Sequence, residues 1–215
     1  MKTYFSEALF MHLPKYTQKS QKAFRQKDYE RAEQLFDSLT RHQLAGSYMD
    51  DFRFKKLNKK EVSIYDFKKP VYLMTHASWR IPTEGEIPAI NELARKYSNK
   101  IDFVILLWDS REAAKKLAKE YDKNITVVYI DEKENHDAFV IKNLKHSLGL
   151  PTCFLLDGTK QIVHITRNPE HPYQTSAEES FRINYESLQE GIATHLLNEE
   201  AQSNTSEMEL VALPN

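Results

Sequence analysis

Short apolar runs alternate with amphipathic stretches along most of this chain. The run at 71–75 (VYLMT) and the run at 101–108 (IDFVILLW) are too short and too rich in β-formers for helices, and the second is apolar enough for a strand buried on both faces. Between them, Ile87, Ile90, Leu93 and Ala94 recur with the 3.6-residue period of a helix. This order, a strand followed by a helix and another strand, indicates an α/β fold.

The same patterns predict the later elements. Helices are expected at 110–121, 135–148 and 177–197, and strands at 127–130, 153–156 and 161–166, the last two joined by a turn at Asp157-Gly158. In the 135–148 helix we expect four residues to face inward: Ala138, Phe139, Ile141 and Leu144. Residues 46–70 alternate as a β-hairpin does, with Phe52 and Phe54 on one side of the first strand.

Residues 20–41 predict one or two amphipathic helices. Their expected apolar face consists of Tyr29, Ala32, Leu35, Phe36 and Leu39. The segment resembles half of a tetratricopeptide unit, but no second copy follows at the expected period of about 34 residues. We therefore expect a helical extension that packs on the neighbouring domain or forms a homodimer interface, with a peptide-binding repeat as the alternative.

Composition and charge exclude several classes of function. The formal net charge is −1 with both signs mixed along the chain, so no basic surface for nucleic acid is evident. No apolar run reaches the roughly 18 residues of a membrane span. Residues 1–14 lack the continuous apolar core and cleavage site of a signal peptide. We expect a cytoplasmic protein, or a periplasmic one if the N-terminus is trimmed; the single cysteine gives no sign of an oxidising compartment.

The segment HASWRIPTEGEIP, starting at His76, resembles the active-site motif of the thioredoxin-like TlpA/ResA family of AhpC/TSA redoxins. That motif is Trp-Cys-x-Pro-Cys, followed shortly by Glu-Ile-Pro at the start of a helix. In register, Trp79, Ile81 and Pro82 match the tryptophan, the variable residue and the proline. Arg80 stands at the nucleophilic cysteine and Thr83 at the resolving cysteine. The framework is present and both sulfur atoms are absent.

Two further segments carry the same resemblance. The hairpin at 46–70 is similar to the lead-in of the family, and GLPTCFLLDG at 149–158 is similar to the segment that holds its cis-proline, which makes Pro151 the cis-proline candidate. The resemblance implies a thioredoxin-like α/β fold with a central mixed β-sheet flanked by helices and an N-terminal β-hairpin. It divides the chain into a helical extension (1–45), a thioredoxin-like domain (46–197) and a flexible tail (198–215).

Dithiol exchange needs a thiolate and a second sulfur to resolve the mixed disulfide, and positions 80 and 83 supply neither. The resemblance therefore implies a redox-inactive, bacterial thioredoxin-like protein that needs no cofactor. It would bind a partner protein or peptide through a surface that we name the turn groove: His76, Trp79, Arg80, Ile81, Pro82, Thr83, Leu150 and Pro151. The alternative is a thiol-disulfide oxidoreductase of the TlpA type, acting in redox homeostasis through Cys153.

Other residues leave alternatives open. Cys153 lies in an apolar strand, where a free cysteine is usually an unreactive core residue. His76 and Arg80 could bind an anion at the helix N-terminus. Alternatively, Arg80 is solvated or paired with Glu84, and His76 is a packed residue at the end of the strand. The eight histidines show no metal-ligand spacing, and we assign nothing to His164 or His171. Residues 210–213 of the tail are a candidate docking segment.

Overall fold

The computed structural model describes residues 2–134, 138–169, 171–172 and 174–197. They form a thioredoxin-like α/β fold with a mixed, seven-stranded sheet in the order β2-β1-β5-β4-β3-β6-β7. The strands are β1 Arg53–Lys56, β2 Glu61–Ser63, β3 Val71–His76, β4 Asp102–Leu107, β5 Ile125–Tyr129, β6 Thr152–Leu156 and β7 Ile162–Thr166. The predicted fold class is confirmed.

Helices cover both faces of the sheet. They are α1 Phe5–Arg25, α2 Tyr29–Leu39, α3 Glu86–Tyr97, α4 Arg111–Leu117, α5 Ala138–Val140 and α6 Ala177–Ile192. Wider π-type turns continue three of them, Thr40–Leu44 after α2, Ile141–His146 after α5 and Ala193–Leu197 after α6, and short 3₁₀ turns occupy Ile64–Asp66 and Ala118–Glu120.

Strand β3 lies at the centre of the sheet because apolar side chains on both of its faces need cover. It pairs in parallel with β4 and antiparallel with β6, and all six of its residues are buried. Alternate residues belong to different cores: Val71 and Leu73 face α1, whereas Tyr72 and Met74 face α3 and α6. This alternation also fixes the face that each neighbouring side chain of the site occupies.

The helical extension packs directly on the domain. Phe5 is fully buried, and its ring meets that of Phe154 edge-on with centroids 5.4 Å apart. Ala32, Phe36 and Leu39 are buried as their periodicity predicts, and Leu35 is partly buried. Tyr29, however, is 64% exposed, since it is the first residue of α2 and lies beyond the surface that the helix covers.

The predicted helix at 135–148 differs most from expectation. Residues 135–137 lie outside the described part of the chain, and α5 is a single turn. Val140 and Leu144, four residues apart, take the inward face, so Ala138 and Phe139 are exposed rather than buried. Phe139 instead packs on the ring of Phe52, with centroids 5.7 Å apart. The tail at 198–215, with its docking segment at 210–213, also lies outside the described residues.

Across the described ranges, no helix combines the length and apolar character needed to cross a membrane.

Candidate functional site

The site lies where β3 ends and the chain turns into α3. The pairing of β3 with β6 brings the 150–152 segment beside this turn, because Thr75 lies opposite Thr152. The Thr75 hydroxyl donates a hydrogen bond to the Thr152 carbonyl at 3.2 Å. The peptide bond between Leu150 and Pro151 is cis. The two segments that the sequence placed in the turn groove therefore meet at one end of the sheet.

Arg80 forms a bidentate ion pair with Glu86, the first residue of α3. Its two terminal nitrogens donate to the two carboxylate oxygens at 2.9 and 2.8 Å. The Glu86 side chain is 2% exposed and the Arg80 side chain 18% exposed. The alternative in which Arg80 is solvated or pairs with Glu84 is wrong, because Glu84 points into solvent whereas Glu86 turns inward beneath the guanidinium. Because the planar guanidinium matches the carboxylate with two hydrogen bonds, the Arg80 side chain has little conformational freedom. Arg80 is the residue that stands where the family motif has its nucleophilic cysteine.

Thr83, at the resolving-cysteine position, is linked to α6. The amide nitrogen of Asn184 lies 3.1 Å from the Thr83 hydroxyl oxygen and 2.8 Å from the Ser180 carbonyl oxygen. The same amide lies 3.1 Å from Nε2 of His171. Sequence reasoning missed Asn184 and assigned nothing to His171. The available signal was weak: Ser180 and Asn184 are polar residues four positions apart on the otherwise apolar inward face of α6.

Gly85 allows α3 to begin against α6. A Cβ atom at this position would lie 2.0 Å from the backbone nitrogen of Phe181, a distance that no side chain tolerates. The Gly85 N–H donates to the Ser180 hydroxyl at 3.1 Å, which satisfies a buried donor of the helix N-terminus. The close backbone contact fixes the start of α3 and, with it, Glu86.

His76 lies beneath the turn rather than on its surface. The side chain is fully buried, and neither ring nitrogen has a hydrogen-bond partner among the described residues. Burial lowers the pKa of His76, with the nearby charge of Arg80 acting in the same direction and Glu86 opposing it. The ring is therefore neutral near pH 7 and cannot contribute a positive charge to an anion site at the surface.

Two large apolar side chains stand out on the turn instead. Trp79 is 69% exposed and Ile81 is 89% exposed, on either side of Arg80. The turn that carries them is held from below: the backbone N–H of Ser78 donates to the Asp109 carboxylate at 2.7 Å. Pro82, Thr83, Leu150 and Pro151 are partly buried. Trp79 and Ile81 are therefore the two large apolar side chains that the turn presents to solvent.

Cys153 is the only thiol of the chain, and it faces the interior. It is 1% exposed, and its sulfur lies 3.3 Å from the hydroxyl oxygen of Tyr72. Burial raises the pKa of the Cys153 thiol to about 12, although the contact with Tyr72 acts in the opposite direction. A neutral, enclosed thiol has neither the thiolate nor the access that disulfide exchange requires.

Among the residues that the structure describes, no three histidine, cysteine or acidic side chains are grouped so that they could hold a metal ion.

The AhpC/TSA family profile matches residues 45–165. The chain belongs to the AhpC/TSA family. The match runs from the start of the hairpin region into β7, and it leaves α1, α2 and α6 outside.

The chain is similar to a thioredoxin-like protein and to a thiol-disulfide oxidoreductase. The chain is 29% identical over 127 residues to the thioredoxin-like protein YneN of Bacillus subtilis, covering 56% of this chain and 71% of YneN. It is 34% identical over 122 residues to the thiol-disulfide oxidoreductase ResA of Bacillus cereus, covering 55% of this chain and 66% of ResA.

Among solved structures, the thioredoxin domain of a thiol-disulfide oxidoreductase from Bacteroides vulgatus superposes with a TM-score of 0.52 and 18% identity. The superposition covers 68% of this chain and 96% of that domain, and at this identity it supports the fold alone.

Proposed function

We propose that this chain is a redox-inactive member of the AhpC/TSA family that binds a partner protein or peptide through the turn groove. The observation that carries the proposal is the ion pair of Arg80 with the buried Glu86, at the position where the family resemblance expects a nucleophilic cysteine. No cofactor is required for binding of this kind, and the cytoplasm remains our predicted location.

The energetics favour a structural role for Arg80. A charged pair that is mostly removed from water persists when both partners are held in good geometry, as the two parallel hydrogen bonds provide here. Its neutralised charge stands between the exposed side chains of Trp79 and Ile81. Tryptophan is enriched among the residues that dominate binding energy in protein interfaces, so these two side chains are the expected anchors.

The alternative is a thiol-disulfide oxidoreductase that uses Cys153, which the names of the relatives favour. Insulin-disulfide reduction by dithiothreitol separates the two functions. We expect no acceleration by the wild type, and measurable acceleration by an Arg80→Cys/Thr83→Cys variant, in which the two thiols stand on the turn that precedes α3. Wild-type acceleration that disappears in Cys153→Ser would overturn the proposal.

Binding needs its own measurement. Trp79 is exposed whereas Trp108 is 5% exposed, so a Trp108→Phe background makes fluorescence report on the turn. Reduced and carboxymethylated insulin B chain serves as an extended, sulfur-blocked peptide probe. We expect a saturable fluorescence change that Ile81→Ser weakens. The matched control is Phe10→Ser, which removes a similarly exposed apolar side chain on α1, outside the turn groove. Equal binding by all these proteins, or none, would contradict the proposal.

A further inference from the structure

Two histidines stack at the boundary between the helical extension and the sheet. His164 of β7 and His195, in the turn that continues α6, lie with ring centroids 4.3 Å apart and ring planes 8° apart. Arg41 and Asp37 of the extension stand next to them and pair with each other at 3.3 Å. We name these four residues the histidine junction. It joins the extension, the outermost strand of the sheet and the C-terminal end of α6.

The junction borders a cavity of about 500 Å³ between these elements. Its polar wall includes Thr40, Arg41, His164, Glu190, Thr194 and His195. Beside it, the extension covers the start of β7: the Gly46 N–H donates to the Ile162 carbonyl, and the Ile162 N–H donates to the Ser47 carbonyl, both at 2.8 Å. The segment at 40–48 therefore covers part of an edge strand whose backbone would otherwise be open.

The environment of the two rings, which already contains the positive charge of Arg41, disfavours protonation of His164 and His195. Burial lowers the pKa of His164 to about 4, and the charges of His195 and Arg41 add to this effect while Asp37 opposes it. Burial also lowers the pKa of His195, again assisted by Arg41. Glu190 of α6 and Tyr72 of β3 line the same cavity, and Asp37 is already engaged by Arg41. A second groove that His164 lines also contains Glu30, Glu33 and Arg167. Two protonated rings would add two positive charges beside Arg41, and of the two carboxylates nearest the rings, Asp37 is already paired with Arg41 whereas Glu190 lines the cavity.

We propose that the histidine junction is an acid-sensitive latch, whose protonation separates the 40–48 segment from β7 and uncovers the edge strand. The 40–48 segment carries Arg41 and forms one wall of the cavity that both rings line. Its separation from β7 removes that positive charge and admits water to the rings, and both changes favour the imidazolium form. An uncovered edge strand offers backbone donors and acceptors to an extended chain. The latch lies at the β7 edge of the sheet, whereas the turn groove lies at the end of the central strand β3. The two proposals are therefore independent.

The direction of the pH effect follows from proton binding. His164 has a pKa of about 4 when closed, and a water-exposed histidine has a pKa of about 6.5. The open form therefore binds more protons between these values, and opening increases as the pH falls from about 6.5 toward about 4. For His164 alone, the opening equilibrium should rise roughly 50- to 100-fold between about pH 7.5 and pH 4.5.

Hydrogen exchange on the full chain tests this proposal. Protection factors, corrected for the intrinsic pH dependence of exchange, should fall by that ratio in the 40–48 segment but not in β3. In a His164→Phe/His195→Phe variant, which keeps two stacked rings without titratable groups, the fall should disappear. The control is His42→Phe, an exposed histidine in the same turn of the extension, which should behave as the wild type.

Three results would overturn the latch. The first is a pH-dependent loss of protection that the double variant retains in full. The second is an equal loss in β3, which indicates general acid unfolding. The third is a proton NMR titration in which both rings show ordinary pKa values. If the double variant does not fold, His164→Gln replaces it, and the loss of protection should then shrink to the share that His195 supplies.

Discussion

At the scale of single residues, Arg80 and Glu86 decide the character of the site. The carboxylate of Glu86 is almost wholly enclosed, and its only cationic partner in the described ranges is the Arg80 guanidinium. An enclosed carboxylate without a counter-charge is costly, whereas a pair of apolar side chains of similar size is not.

We therefore expect Arg80→Met to lower the free energy of unfolding by roughly 3 kcal/mol, near the lower end for a broken buried pair because Arg80 retains some exposure. The double variant Arg80→Met/Glu86→Leu should recover most of that loss, since neither position then carries a charge. Urea unfolding of both variants and the wild type measures the difference. A double variant that is less stable than Arg80→Met would contradict this account of the pair.

The Cys153 thiol should be unreactive in the folded protein. Because it is enclosed and its pKa is raised, we expect an aromatic disulfide reagent at neutral pH to react with it only when the protein unfolds. The absorbance of released thiolate follows the reaction. A Thr83→Cys variant supplies the comparison, with a second thiol on the turn that should react at once. Rapid modification of the wild type would show that the strand opens locally.

The same thiol makes stability depend on alkaline pH. The pKa of Cys153 is about 12 in the folded protein and 9.0 in its ordinary state, so the unfolded chain loses its proton first. The stabilising contribution is complete below about pH 9 and is lost as the pH rises toward 12. Between about pH 8 and pH 10.5, the wild type should lose more stability than Cys153→Ala, as measured by urea unfolding. Parallel losses in the two proteins would show that other groups dominate.

At the scale of elements, the contact between α3 and α6 positions the site. Ser180 and Asn184 of α6 bind the N-terminal turn of α3 through Gly85 and Thr83. The sequence predicted both helices from their periodicity, but periodicity carries no information on which two helices touch. The sequence shows that residue 85 is a glycine, but only the structure shows that its close contact with α6 requires one.

Gly85→Ala should disrupt this contact. The added methyl group would overlap the backbone of α6 at Phe181, so the two helices must separate, with an expected loss of about 3 kcal/mol, the upper part of the usual range for overpacking. Gly158→Ala is the control, because no atom lies within 4 Å of its would-be Cβ. Thermal unfolding of both variants measures the effect. Equal stability of the two would mean that α6 shifts without cost.

At the scale of the whole molecule, the extension and the domain share one apolar core. Phe5, Leu9 and Phe36 of the extension belong to the same buried cluster as Leu73 and Phe154 of the sheet. The sequence predicted helices here but left their packing partner open, because an amphipathic face fits a domain, a second copy or a repeat equally well.

A shared core predicts cooperative unfolding. We expect Phe5→Ala to lower the stability of the entire described fold by about 3–4 kcal/mol, with one transition and an unchanged denaturant slope. In a Trp79→Phe background, circular dichroism senses the helices and Trp108 fluorescence senses the domain interior, and the two should give the same midpoint. The exposed Phe10→Ala, on the same helix, should change little. An early transition seen only by circular dichroism would show that the extension unfolds separately.

The amino-acid sequence alone determined the fold class, the family and the absence of sulfur at positions 80 and 83, since these depend on local pattern and residue identity. Only the tertiary structure decided the partner of Arg80, the burial of His76 and the contact of Thr83 with Asn184, which lie 101 positions apart in sequence. The reason is physical: periodicity fixes which face of an element is apolar, whereas partner choice depends on where distant elements cross and on the direction of each side chain.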